Sequence, residues 1–207
     1  MRPLPRLFAV TTDTICRAAD FGVRAAAVAA LGPAAALVIR APGSTAAQHS
    51  AFAERVTALS RPPEAAVIVH GRPDLARAVS AQGVQLRHSD LAPADARRVF
   101  SRGWIGVSVH SREEAVEAVD QGADYLVAGN VFETTSHPDR PARGLPWLAD
   151  ICRLGTPVVA IGGITAERAP EVKATGAWGV AAISALWHGP DSAGAALALA
   201  RPWTGEE

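Results

Sequence analysis

The sequence predicts a single (β/α)8 TIM barrel, and three observations carry that expectation. Short apolar runs recur about every 20 to 30 residues with helical stretches between them, the alternation that builds a parallel sheet or barrel. Eight such units can be counted and no GxGxxG follows the first, which favours a closed barrel over a doubly wound dinucleotide-binding sheet. The chain has 207 residues, and ~200 is near the lower limit for one barrel. No low-complexity tract or linker interrupts it, so one domain is expected over residues 1–207.

The first strand is expected at Leu7–Thr12, followed by a helix from Thr14 to Leu31 that Gly32-Pro33 ends. The second strand is Ala35–Arg40, stopped by Ala41-Pro42-Gly43. Ser44 or Thr45 can cap the next helix, which runs to Ser60 before Arg61-Pro62-Pro63 breaks it. Strand three is Ala65–His70, and a short helix Arg72–Ala81 leads to strand four, Gly83–Leu86. Pro93 to Phe100 reads as helix and Trp104–His110 as strand five. Ser111, with Glu114 three residues on, has the form of a capping box. Strand six is Asp124–Val131. The irregular stretch Glu133–Arg143, with Pro138 and Pro141, reads as a mobile lid, a ligand clamp or a solvated loop. Leu145–Leu154 can be helical with Pro146 in its first turn, and Asp191–Arg201 closes the chain as a helix.

Strands seven and eight come from the stretch Pro157 to Ser184, which reads PVVAIGGI, a polar run, then WGVAAIS. Both apolar runs are rich in Val, Ile and Ala, as strands buried on both faces are. Gly162-Gly163 ends the first run, and Ala182, Ile183 and Ser184 end the second. Small residues at two adjacent strand ends let main-chain amides approach a phosphate closely. The same residues also make an ordinary tight turn.

Twenty basic and twenty acidic residues cancel, so the chain lacks the field of a general nucleic-acid binder and any anion site is expected to be local. Cys16 and Cys152 have no metal or redox spacing, which fits a reducing cytoplasm. No apolar run is long enough to cross a bilayer, and the N-terminus lacks the apolar core of a secretory signal.

Ligands of such barrels bind at the C-terminal strand ends. Those ends carry Arg40, His70, Ser108, His110, Asn130 and Thr134 besides the small residues above. His110 follows WIGVSV and opens onto a helix, a place from which an imidazole can exchange protons near neutral pH or merely bond its own loop. Arg40 ends an apolar strand and needs a partner, either an anionic ligand or an acidic side chain. Asp90 can hold Mg²⁺ through water or simply cap a helix. Asn130 and Thr134 can offer neutral hydrogen bonds to a small ring or close their own turn.

The pieces GVQL (Gly83–Leu86), GVSVHSREEA (Gly106–Ala115), GADYLVAGNVFET (Gly122–Thr134), PVVAIGGIT (Pro157–Thr165) and GVAAIS (Gly179–Ser184) occur in order across nearly the whole chain. Together they resemble the thiamine-phosphate synthase superfamily, and within it the TenI-like branch of thiazole tautomerases. Several departures set the chain apart from the synthase pattern. Where that pattern has R-E-K the chain has Arg40-Ala41-Pro42, and where it has N-D with a Mg²⁺-binding aspartate the chain has His70-Gly71-Arg72. A lysine after the sixth strand is replaced by Ser136-His137, and Asp90 stands without its metal-binding companion. Neither Thr135 nor Ser136 matches the loop cysteine of some TenI-like relatives.

What the resemblance implies is a cytoplasmic, metal-independent isomerase of thiamin biosynthesis that aromatises a carboxylated thiazole phosphate. In that reading Gly162, Gly163, Ala182, Ile183 and Ser184 hold the phosphate. Arg40, Ser108, Asn130 and Thr134 contact substrate, and His110, with His70 as relay or replacement, moves the proton. No cofactor is expected, the partner is a small phosphorylated thiazole rather than nucleic acid or membrane, and a homodimer is possible. The alternatives are the synthase itself, with Mg²⁺ at Asp90, joining hydroxymethylpyrimidine pyrophosphate to thiazole phosphate, and a non-catalytic thiazole or thiamin phosphate binder.

Overall fold

The computed structural model describes residues 3–60, 65–134 and 141–205. Eight parallel strands close into one barrel in sequence order, with β1 paired to both β2 and β8. The strands are β1 Leu7–Val10, β2 Ala35–Ile39, β3 Ala66–His70, β4 Gly83–Arg87, β5 Trp104–Val109, β6 Tyr125–Gly129, β7 Val158–Ile161 and β8 Gly179–Ala182. The helices are α1 Asp13–Arg17, α2 Phe21–Ala29, α3 Ala46–Leu59, α4 Pro73–Ala78, α5 Pro93–Val99, α6 Arg112–Asp120, α7 Gly144–Cys152, α8 Ala169–Ala174, α9 Ser184–Trp187 and α10 Ser192–Thr204. This is the (β/α)8 architecture the sequence predicts. No helix among the described residues is long and apolar enough to cross a membrane.

Alternation along each strand splits the core in two. Leu7, Ala9, Leu37 and Ile39 face the helices, whereas Phe8, Val10, Ala36 and Val38 belong to the separate cluster inside the barrel. The inner cluster also holds Ile68, Trp104, Tyr125 and Val159. Phe8 and Tyr125 meet with ring centroids 5.3 Å apart and planes tilted by 52°, an edge-biased packing that aromatic rings favour. The Tyr125 ring fits because Gly106, on the neighbouring strand, has no side chain. A Cβ there would collide with the ring itself.

Several expectations are corrected at element ends. The helix expected from Thr14 to Leu31 is two helices, with Ala18 extended at φ −61°, ψ 139° between them. Cys16 and Phe21 are both buried, yet five residues of straight helix would set them about 140° apart around the axis. The break lets both face the core. The capping box at Ser111 is rearranged as well. Ser111 Oγ accepts the Glu114 N–H, but the Glu114 carboxylate reaches past the cap to the His110 N–H at 2.7 Å. Thr45 and Gln48 form the full reciprocal pair at the head of α3. α8 is confined to Ala169–Ala174, with a turn at residues 166–168 before it, and a further short helix, α9, begins at Ser184. Residues 135–140 of the expected 133–143 loop, including Ser136, His137 and Pro138, lie outside the described residues.

Gly106→Ala is expected to destabilise the fold by about 1–3 kcal/mol through overpacking against Tyr125. A denaturation midpoint unchanged from the parent protein would contradict this packing argument.

Candidate active site

The aromatic plug leaves the other half of the barrel open. A cavity of about 950 Å³ occupies the C-terminal mouth, where barrels of this kind place their ligands. Arg40, His70, Ser108, His110, Asn130, Thr134, Gly162, Gly163, Ala182, Ile183 and Ser184 all line it. Asp90 does not appear on its wall.

On the β7–β8 side the backbone sets the geometry. Gly162 has φ +102° and Gly163 φ +64°, which side chains rarely tolerate. A Cβ on Gly162 would lie 2.5 Å from the Asn130 Cβ, and one on Gly163 would lie 2.8 Å from the Phe132 Cβ. The two loops are thus in van der Waals contact through the glycines. Arg168 reinforces the contact: its Nη1 donates to the Gly163 carbonyl at 2.7 Å while its guanidinium lies 4.6 Å from the Phe132 ring centre. The carbonyls of Ile161, Gly162 and Gly163 are thus all taken, by the N–H groups of Val131 and Phe132 and by Arg168.

His110 sits between β5 and β6. Its Nδ1 lies 2.7 Å from the Gly129 carbonyl oxygen. A carbonyl only accepts, so Nδ1 carries the proton and Nε2 is left as the basic nitrogen. The peptide Gly129–Asn130 is cis, and the Asn130 amide donates to the Phe132 carbonyl at 3.3 Å.

The β2–β4 side is cationic. Arg40 is half-buried. Burial lowers its pKa, Asp13 opposes that, and Arg87 adds to it. Its guanidinium makes no hydrogen bond or ion pair among the described residues, and its backbone is held instead by Thr11, whose hydroxyl accepts from the Arg40 N–H at 3.0 Å. His70 is pushed down to about 4, first by burial and then by the positive charge of Arg40. It is therefore neutral at physiological pH, which removes it as a ready proton donor. Arg87 lines the same wall and is clamped by Asp90: its Nε and Nη2 reach Oδ1 at 3.0 and 2.7 Å, and its N–H reaches Oδ2 at 2.8 Å.

Gln85 is the site residue that strand-end reasoning passes over. It lies inside β4, 4% exposed, and lines the cavity. Its amide nitrogen donates to Ser108 Oγ at 3.0 Å and to the Leu86 carbonyl at 3.2 Å, while its Oε1 has no partner among the described residues. A lone amide in an otherwise apolar strand, GVQL, is the signal in the sequence.

Fold and mouth together define a (β/α)8 barrel with an anion-suited ligand cavity. The chain matches the family model described as thiamine monophosphate synthase over residues 7–186, and it belongs to that family. It is 41% identical over 153 residues to a thiamine-phosphate synthase of Thermus thermophilus, covering 72% of this chain and 73% of that one. It is 38% identical over 197 residues to one of Chloroflexus aurantiacus, covering 94% and 90%. Among solved structures it resembles thiamine phosphate pyrophosphorylase from Pyrococcus furiosus, with TM-score 0.84, 36% identity and coverage of 97% and 96%. A 3-hexulose-6-phosphate synthase at 17% identity and TM-score 0.68, covering 95% and 99%, shares the fold alone.

These relatives overturn the expected isomerase. Homologues about 40% identical over most of the chain carry the name of a transferase, and nothing separates the chain into a TenI-like tautomerase branch. Of the departures at His70-Gly71-Arg72 only His70 lines the cavity, so they are a weak guide to the reaction class.

The His70 ring is expected to stay neutral down to about pH 4. Its folded pKa lies below the unfolded value near 6.5, so the unfolded chain binds more protons between those values. Its contribution to stability is full above about pH 6.5 and falls by up to ~3 kcal/mol as pH drops toward 4. His70→Gln should flatten that slope. A ring titrating near 6.5 by NMR would contradict the assignment.

Proposed function

We propose that the chain is a thiamine-phosphate synthase, joining hydroxymethylpyrimidine pyrophosphate to thiazole phosphate. One carbon–nitrogen bond forms, one carbon–oxygen bond breaks, and pyrophosphate leaves. The observation that carries this reading is the two-sided mouth. The glycine turns after β7 and the end of β8 suit one phosphate, and Arg40 and Arg87 stand across the barrel at β2 and β4. A single monophosphate needs only one of these sides, whereas two phosphorylated reactants use both.

Between the two sides lies a pair suited to a ring with an amino group. Gln85 Oε1 is a buried acceptor without a partner among the described residues. Ser108 Oγ accepts from Gln85 Nε2, so its hydroxyl hydrogen is left to donate. An acceptor beside a donor complements the amino group and adjacent ring nitrogen of an aminopyrimidine. Burying that acceptor unpaired is costly, and a ligand amino group would satisfy it. His110, with Nε2 as its basic nitrogen, is the residue available for proton transfer at the ring end. Phosphate binding by Gly162, Gly163, Ala182, Ile183 and Ser184, and ring contacts by Asn130 and Thr134, belong to the same proposal, as do a cytoplasmic location and a homodimer.

The synthase resemblance implies Mg²⁺. The residues here do not fit it. Gly71 has no side chain, and a Cβ built on it would lie 3.6 Å from Asp90 Oδ2, where a second carboxylate would belong. Both oxygens of Asp90 already accept from Arg87.

Purified protein given both substrates should form thiamin phosphate, followed by chromatography. Absence of product from folded protein would remove the proposal. Gln85→Leu should lower kcat/KM for the pyrimidine substrate roughly tenfold, the effect of one lost hydrogen bond, with KM for thiazole phosphate unchanged. An equal loss for both substrates would place Gln85 elsewhere.

A further inference from the structure

The misfit at Gly71 and Asp90 raises the question of what balances the charge of a diphosphate in this cavity. Isolated anions are expensive to bury, so each needs a compensating group. Three arginines line the cavity: Arg168, on the β7 side, is engaged with the Gly163 carbonyl and the Phe132 ring, and Arg40 and Arg87 stand on the β2–β4 side. They are close enough that each field matters to the groups between them. Arg40 lowers the pKa of His70 more than any other charge, and Arg87 lowers those of both His70 and Arg40. Arg40 has no carboxylate bonded to it among the described residues. On this side of the mouth a divalent cation would meet two like charges, one neutral imidazole and, among the described residues, the Asp90 carboxylate already holding a guanidinium, while Glu114 and Glu133 line the cavity after β5 and β6. That is a poor donor set for Mg²⁺, which takes oxygen ligands in a strict octahedron. A diphosphate meets the opposite situation, with two forks of N–H donors suited to phosphate oxygens.

Asp90 then has a different role from a metal ligand. It bonds the Arg87 main-chain N–H with one oxygen and the guanidinium with the other. This fixes the turn after β4 and the direction of the arginine stem.

We infer that Arg87, steered by Asp90, takes the place of a divalent cation on the diphosphate side of this cavity and binds the diphosphate together with Arg40. The inference rests on the synthase reading for the identity of the anion. The diphosphate binding it describes can nevertheless be measured without turnover.

The test is calorimetric titration of inorganic pyrophosphate into the full chain, once with EDTA and once with excess MgCl₂. Affinity in EDTA should be within about threefold of that in magnesium, where tenfold would correspond to ~1.4 kcal/mol. Arg87→Met, which keeps the apolar stem, should weaken binding at least about tenfold. Asp90→Asn removes the carboxylate a cation would need and keeps an amide oxygen for Arg87, so any loss of affinity should be by a similar factor in EDTA and in magnesium. Binding that appears only with magnesium, or an Asp90→Asn loss confined to the magnesium titration, would overturn the inference. So would undiminished affinity in Arg87→Met. A parallel assay of thiamin phosphate formation separates the two claims. Magnesium-dependent product with magnesium-dependent pyrophosphate binding would overturn this inference and keep the synthase. Magnesium-free pyrophosphate binding without product would do the reverse.

Discussion

The placement of every functional group depends on one steric arrangement, the Tyr125 ring seated over Gly106 inside the barrel. Together with Phe8 it fills the lower barrel with aromatic carbon. Eight strands enclose only enough space for side chains, so a full lower layer leaves the upper layer to small or polar residues. Val38, Val127, Ala181 and Ala182 line the space above, and the charged and amide groups stand around its rim. The cavity is therefore the complement of the plug. Its depth is set by that packing, with Phe8 on its floor.

Around that rim the two halves work by different physics. The β7–β8 half uses main chain: two glycines in left-handed conformations, crowded so closely against Asn130 and Phe132 that no side chain would fit. The β2–β4 half uses side chains whose charge is only partly balanced from within the protein. Asp90 is spent on Arg87, and Arg40 has only the more distant field of Asp13. In the proposed complex the amides would meet one anion and the guanidiniums, one half-buried at Arg40 and one exposed at Arg87, the other.

The sequence makes the strands legible because their cause is local. Runs such as AALVI and YLVAG are apolar without a break, and each bears out its expected strand to within one or two residues at either end. The strand ends were read as too long at Thr11-Thr12, His110 and Asn130-Val131, because the chain leaves the sheet there to build the mouth. The Thr11 hydroxyl, for example, is taken by the carbonyls of Val38 and Arg40 rather than offered to the cavity. Asp90 could not be read correctly from spacing, since its partner is the side chain of Arg87 in the same turn, and a turn's direction is not written in composition. Gln85 was hidden for the opposite reason: one amide among apolar neighbours looks like an interruption until the strand is seen to have an inner face. The reaction class was the least legible feature, because the departures from the synthase pattern lie on one wall and say nothing of the ligand on the other.

The contact between His110 and the Gly129 carbonyl has a consequence for traffic of hydrogen ions. One ring nitrogen is committed to the main chain of the next strand, so the imidazole cannot hand a hydrogen ion from one face of the barrel wall to the other. Whatever it picks up at its free nitrogen must be returned through that same nitrogen. In the proposed reaction the residue is thus a reservoir with one door, lending to a bound molecule and reclaiming from it through the same nitrogen.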